Sequence, residues 1–209
     1  MTTITTAFSN AVYDSQYCFR QLLKAMSEPG EKVLLNRCEG FGSMHSATTQ
    51  TLLTMADNAT PIWLSPSFAQ DDSVLDNLRF YCSSPMSETS VNSAFAIVSG
   101  KDLVAFDWDS AQFNIGNEEY PDQSTTVIVE IEDDATTECT TGQILSLTGP
   151  GIERNQSLEL RSVPASFIQF LEKRQERFAF PLGVDLILAS KIHVVAIPRT
   201  TSVEVMPCM

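Results

Sequence analysis

Apolar residues recur along the chain with two different periods. Cys18, Leu22, Ala25 and Met26 fall at helical spacing, and Asp14 stands where a cap is needed, so the pattern predicts a first helix over Asp14 to Met26. Glu28-Pro29-Gly30 ends it, because proline breaks the hydrogen-bond ladder and glycine supplies a turn. Glu31 to Asn36 reads as a strand. Further helices are predicted from Ser46 to about Ala56, over Asp72 to Phe80, and from Pro164 to about Phe178, where Phe167, Phe170, Leu171 and Phe178 form an apolar face. Lys173, Arg174 and Arg177 then lie at the carboxyl end of the last helix, where positive charge suits the helix dipole.

The period-2 signals fall elsewhere. Pro61 to Leu64 reads as extended and Ala94 to Val98 as a buried strand. Thr126 to Ile131 reads as a strand with one more polar face, and Gln143 to Leu147 as a strand ended by Thr148-Gly149-Pro150-Gly151. Val184 to Leu188 and His193 to Ile197 are continuous apolar runs, the pattern of strands covered on both faces; Val203 to Met206 is a last strand. Asp102 to Ser124, with Asp107, Asp109, Glu118, Glu119 and Asp122, reads as a short helix followed by a solvated loop. Helices alternate with strands early and strands cluster late. The expected fold is α/β, a mixed sheet with helices packed on it, in one domain spanning residues 1–209.

Charge narrows the partners. A net charge of −13 lacks the clustered basic surface that nucleic acid or an anionic membrane requires, and a neutral or basic protein surface is the better match. Cys18, Cys38, Cys82, Cys139 and Cys208 are scattered, with no CxxC pair, so neither a zinc site nor a redox dithiol is indicated. Without a signal-type amino terminus or a bilayer-length apolar run, the expectation is a cytoplasmic chain with reduced thiols.

Each self-sufficient catalytic kit lacks a component. Histidine occurs only at His45 and His193, and no G-x-S-x-G elbow is present. Glu130, Glu132, Asp133, Asp134 and Glu138 lack the spacing and glycine of a calcium loop and read as a solvated strand end. Gly149-Pro150-Gly151 follows a strand but matches no phosphate-loop pattern, and Pro150 lacks an N–H. Ser190-Lys191 invites a Schiff-base reading for pyridoxal phosphate, but that chemistry also needs a phosphate cup and an acid at the ring nitrogen, which Asp185 could in principle be although the sequence does not position it; the turn between two strands is the plainer reading. No catalytic residue, metal site or cofactor is assigned. Arg199, between two strands and beside Thr200 and Thr201, has the chemistry to hold a carboxylate or phosphate oxygen, or to pair with one of the chain's own acids. Arg20 on the first helix has the same two readings. Asp57-Asn58 is either a ligand position or a helix stop. Arg20, Asp57, Asp185 and Arg199 are therefore the candidate ligand or interface residues.

Five blocks, in order, resemble one family: Phe19-Arg20-Gln21-Leu22-Leu23-Lys24-Ala25-Met26-Ser27-Glu28-Pro29-Gly30; Leu52 to Leu64, containing Met55-Ala56-Asp57-Asn58-Ala59-Thr60-Pro61; Leu147-Thr148-Gly149-Pro150-Gly151-Ile152; Phe180-Pro181-Leu182-Gly183-Val184-Asp185-Leu186; and Ala196-Ile197-Pro198-Arg199-Thr200-Thr201-Ser202-Val203-Glu204-Val205. The set is similar to PhnH, a subunit of the bacterial carbon–phosphorus lyase core complex, with a looser match over residues 86–140. One departure is Tyr81, which follows Leu78-Arg79-Phe80 where relatives often carry a histidine. The resemblance implies a three-layer fold like the large domain of pyridoxal-phosphate-dependent transferases without the cofactor site. It implies a homodimer that joins the G, I and J subunits. It also implies a need for this chain when phosphonate is joined to the ribose of ATP with loss of adenine. Later carbon–phosphorus cleavage belongs to the J subunit's iron–sulfur cluster, which the scattered cysteines here cannot build. The function expected is that of an accessory subunit without independent activity; the alternative is that it lends side chains to a shared active site.

Overall fold

The computed structural model describes residues 4–132 and 142–206. It contains helices α1 (Ala11–Ser27), α2 (Ser46–Met55), α3 (Pro66–Ala69), α4 (Asp72–Cys82) and α5 (Ala165–Arg177), and strands β1 (Lys32–Leu34), β2 (Ile62–Leu64), β3 (Phe95–Val98), β4 (Thr126–Glu130), β5 (Gln143–Thr148), β6 (Gln156–Leu160), β7 (Asp185–Ala189), β8 (His193–Ile197) and β9 (Ser202–Val205).

Six strands form the main sheet in the order β1-β8-β7-β4-β3-β2. From β7 to β2 neighbouring strands are parallel, and β8 and β1 add antiparallel partners at the other side. Strand alternation divides the sheet's side chains between two cores. Ile97, Ile128 and Ile187 face the first core, with Cys18 and Leu22 of α1, Leu52 of α2 and Leu78 of α4. Val98, Val127, Val129, Leu186 and Leu188 face the second, with Phe167, Phe170 and Leu171 of α5. The fold is thus mixed α/β, with helices on both faces of a mixed sheet.

The second core has a further wall that periodicity did not reveal. A three-stranded antiparallel sheet, β6-β5-β9, closes it with Leu145, Leu147, Leu158, Leu160 and Val203. Strand β6 is new relative to the sequence reading. Its polar positions Gln156, Ser157 and Glu159 alternate with Leu158 and Leu160 at the foot of a short hairpin, so its apolar content is too thin to register as a run.

Other expectations are corrected. The first helix starts at Ala11, because Asn10 caps it by accepting from the Tyr13 N–H at 3.2 Å. Asp14 instead reaches back to the Asn10 N–H at 2.9 Å, the reciprocal half of a capping arrangement. The expected helix after Asp102 is absent. That stretch is a series of turns that sends Leu103, Trp108 and Phe113 into the second core. Turn-forming Asp and Ser residues win over helix propensity here: Asp107 Oδ1 accepts from the N–H groups of Asp109 and Ser110, and Oδ2 from the Ser110 hydroxyl. The more polar face of β4, with Thr126, Ile128 and Glu130, is covered rather than solvated; Val127 to Glu130 are all buried. Asp133, Asp134, Glu138, Cys139 and Cys208 lie outside the described residues.

Candidate functional site

Of the four candidate residues, Asp185 and Arg199 come together. Asp185 opens β7, and Arg199 sits in the corner where the chain leaves β8 for β9. The guanidinium meets the carboxylate as a fork, Nε to Oδ1 at 3.2 Å and Nη2 to Oδ2 at 2.5 Å, and the Arg199 backbone N–H adds a bond to Oδ1 at 2.8 Å. Its remaining edges donate to the Pro121 carbonyl and the Ser124 hydroxyl, both at 2.5 Å. Both side chains are about 15 % exposed. Four of the five guanidinium N–H donors are thus spent inside the fold, so a bidentate grip on a phosphonate would require Arg199 to release an internal partner.

Arg174 of α5 fastens the same corner from beneath. Its guanidinium donates to the carbonyls of Ile197, Pro198 and Thr201 at 2.9, 2.7 and 2.7 Å. Burial pulls this arginine down to about 10, against the opposing attraction of Asp185. Arg174 keeps its expected place in the last turn of α5 and is in addition a buried latch. Its signal in the sequence was weak, because Arg174 shares its segment with Lys173 and Arg177, which are exposed.

Two other resemblance blocks, 147–152 and 180–186, meet this corner, and a third, 19–30, packs on the first of them. Gly149 has φ +138°, and a Cβ on it would come to 2.8 Å from the Thr200 carbonyl oxygen. Gly151, at φ +85°, lies so close to Ser27 that a Cβ would collide with its carbonyl oxygen. The Thr148-Gly149-Pro150-Gly151 turn is glycine-rich because backbone of the corner and of the α1–β1 turn presses against it, which leaves it unsuited to cradle a phosphate. Beside it a shallow depression of about 420 Å³ is lined by Pro150, Phe178, Phe180, Leu182 and Arg199.

Asp57 and Arg20 are elsewhere. Asp57 is exposed and closes its own turn, accepting from the Ala59 N–H at 2.9 Å and the Thr60 hydroxyl at 3.2 Å, which is the helix-stop reading. Arg20 is exposed on α1. Lys191 is exposed in the turn between β7 and β8, where its backbone carbonyl accepts from the Ala47 N–H at 3.1 Å. Among the described residues no group of three or more His, Cys, Asp or Glu side chains is placed to hold a metal ion, and no helix is long and apolar enough to cross a membrane.

The sequence reading missed one pair. Glu130 ends β4 at the carboxyl edge of the parallel strands, the side on which open α/β sheets bind ligands. It is 2 % exposed, not a solvated strand end. Its Oε1 accepts from the His45 N–H at 2.7 Å, and His45 Nδ1 stands 3.7 Å from Oε2 and 3.4 Å from the Ala189 carbonyl oxygen. Burial raises the Glu130 carboxyl above the ordinary range, and His45 partly offsets this. The Glu130 carboxyl therefore accepts from the backbone at the amino end of α2, where neither His45 nor any first-turn acid caps the helix through its side chain. A sequence separation of 85 positions hides the pair from any local pattern.

Comparison with known proteins gives a consistent picture. A family model described as "Bacterial phosphonate metabolism protein (PhnH)" matches residues 6–204. The alpha-D-ribose 1-methylphosphonate 5-triphosphate synthase subunit PhnH of Rhizobium meliloti is 31 % identical over 203 residues, covering 95 % of this chain and 94 % of its own. The putative C-P lyase subunit protein HtxG of Stutzerimonas stutzeri is 31 % identical over 190 residues, covering 90 % of this chain and 85 % of its own.

Proposed function

The chain belongs to the PhnH family of bacterial phosphonate metabolism proteins, and from that premise we propose that it works as an accessory subunit of a carbon–phosphorus lyase assembly. Its task is to support the step that joins a phosphonate to the ribose of ATP with loss of adenine. Two relatives that match along nearly the whole chain are named as subunits, one of a ribose 1-methylphosphonate 5-triphosphate synthase and one of a C-P lyase.

The observation that carries the accessory reading is that Arg199 spends four of its five guanidinium N–H donors inside the fold. The arginine best suited by its setting to clamp a phosphonate is bound to Asp185, Pro121 and Ser124. It braces the fold, and with Arg174 it presents the corner residues 198–201 as a rigid surface. A scaffold needs such surfaces, and a catalytic clamp needs free donors.

The finer parts of the proposal follow from the same picture. Two cores that share one sheet support treating residues 1–209 as one unit. The parallel strands β2, β3, β4 and β7 with antiparallel β8 support likeness to the large domain of pyridoxal-phosphate-dependent transferases. We assign the chain to the cytoplasm, as a homodimer that joins G, I and J subunits. The decisive experiment assembles the remaining subunits with and without this chain and measures adenine release from ATP and methylphosphonate. A strong drop without it is expected; full activity in its absence ends the proposal.

A second reading stays open because Arg20 projects from α1 into solvent: the chain lends side chains to a shared site. Alanine at Arg20, Asp57, Asp185 and Arg199 separates the two. Turnover lost in a complex that still assembles supports a shared site, whereas intact turnover in every assembled variant removes it.

A further inference from the structure

Far from the Arg199 corner in the sheet order, at the β2 edge, the chain forms a cleft of about 450 Å³. Trp63, the middle residue of β2, is one wall. Phe106 is another, its ring meeting the indole at a steep angle with centroids 6.1 Å apart. Phe106 is backed by Trp108 at 4.5 Å and Phe113 at 6.5 Å between centroids, so the aromatic wall is braced from the core. Across the rim, the Ser90 hydroxyl donates to the Gln112 carbonyl at 2.6 Å and ties the two lips together.

Asp107 completes the lining. Its carboxylate is pinned by the Ser110 hydroxyl at 2.5 Å and by the N–H groups of Ser110 and Asp109 at 3.1 and 3.2 Å. These bonds hold it ionised and oriented, and Oδ2 keeps acceptor capacity beyond the single bond it receives from Ser110. Arg177, nearby, donates to the carbonyls of Trp108 and Ala111 rather than to the Asp107 carboxylate.

Aromatic faces beside a fixed carboxylate suit a cation. Guanidinium fits better than ammonium: it is planar and weakly hydrated, stacks on aromatic rings, and hydrogen-bonds a carboxylate with geometric specificity. A chain with net charge −13 also steers basic protein surfaces toward itself. We propose that the Trp63–Phe106–Asp107 cleft receives an arginine side chain from a partner subunit of the assembly. The inference rests on the subunit reading above and adds to it where a partner docks and by what chemistry.

The test measures binding of the full chain to the other subunits, co-expressed and immobilised, at several salt concentrations. Wild type is compared with Asp107→Asn, Asp107→Lys and Trp63→Phe, each checked for a wild-type melting profile. Asp76→Asn on α4, across the main sheet, is the charge control. The expected result is at least a tenfold loss of affinity for both Asp107 variants, a smaller loss for Trp63→Phe, a weaker salt dependence in Asp107→Asn, and no change in Asp76→Asn. If wild type binds and the Asp107 variants bind equally well, the inference is overturned while the subunit reading stands. If Asp76→Asn weakens binding as much as Asp107→Asn, the effect is net charge and the cleft is not the contact. If wild type itself fails to bind, the subunit reading falls and the inference falls with it.

Discussion

Arg199 spends its fork on Asp185 and its outer edges on Pro121 and Ser124, so one side chain joins the start of β7, the corner after β8 and the turn before β4. Removing one partner of a pair this sheltered leaves the other charge in poor surroundings. Asp185→Asn and Arg199→Ala are each expected to lower stability by about 3 kcal/mol, and the double variant by clearly less than their sum. Urea denaturation of the four proteins in the cycle checks this. Additive losses would mean that the fork contributes nothing of its own.

Arg174 makes a sharper case, because it has no carboxylate partner among its hydrogen bonds. Arg174→Met keeps much of the apolar stem but takes the guanidinium away from the carbonyls of Ile197, Pro198 and Thr201, of which Pro198 still accepts from the Thr201 N–H at 2.9 Å. Each buried acceptor so stranded costs about 1–3 kcal/mol. The expected outcome is a loss of several kcal/mol and faster amide exchange at Ser202 and Val203, read by hydrogen–deuterium exchange. Unchanged exchange there would remove Arg174 as the latch.

Gly151→Ala places a methyl group into the Ser27 carbonyl oxygen in a left-handed conformation that disfavours any side chain. A loss of about 2 kcal/mol or more is expected, read as a drop in melting temperature. A neutral effect would show that the turn and the end of α1 separate without cost.

The Glu130 carboxyl gives stability a pH dependence of defined sign. Its folded-state value is raised above the ordinary Glu value of 4.5 by burial. The folded state therefore favours the proton. This group's contribution is fully present below the ordinary Glu value and is lost as pH rises through the raised one. Glu130→Gln still accepts the His45 N–H but never ionises. It is expected to match or exceed wild-type stability at neutral pH and to show a flatter stability profile above pH 4.5. Removing the imidazole with His45→Ala takes away the opposing attraction and steepens the wild-type profile. A Glu130→Gln profile that overlays wild type would refute the assignment.

Three thiols are predicted to be inert in the folded protein. Burial pushes Cys18 and Cys82 up to about 11, and Cys38 to about 12. Iodoacetamide at neutral pH should leave all three unmodified in native protein and label them in urea, as peptide mass spectrometry would show. Rapid native labelling of any of the three would contradict the placement.

The sequence was most legible where burial is one-sided or complete. The runs 184–188 and 193–197 are strands because both faces of β7 and β8 are covered, and the Cys18-Leu22-Ala25 stripe is the inward side of α1. It was least legible where the deciding partner is distant. Glu130 looked like part of an acidic strand end because His45 is remote in sequence. The stretch after Asp102 looked solvated because its acids outnumber Leu103, Trp108 and Phe113, which nonetheless decide its path. Of the candidate site, Asp185 and Arg199 were found singly; that they occupy each other follows only from the strand order.

The small sheet has a consequence for synthesis. Strands β5 and β6 form a local hairpin, but the other neighbour of β5 is β9, at Ser202–Val205, and much of the apolar cover for Leu145 and Leu147 comes from α5, β7 and β8. On a ribosome, that hairpin emerges well before the strands and helix that shield it. Its greasy inner face must wait, exposed, until α5, β7, β8 and β9 have followed it. The nascent chain is therefore most in need of a chaperone, and most prone to stick to its neighbours, between the emergence of that hairpin and the docking of β9.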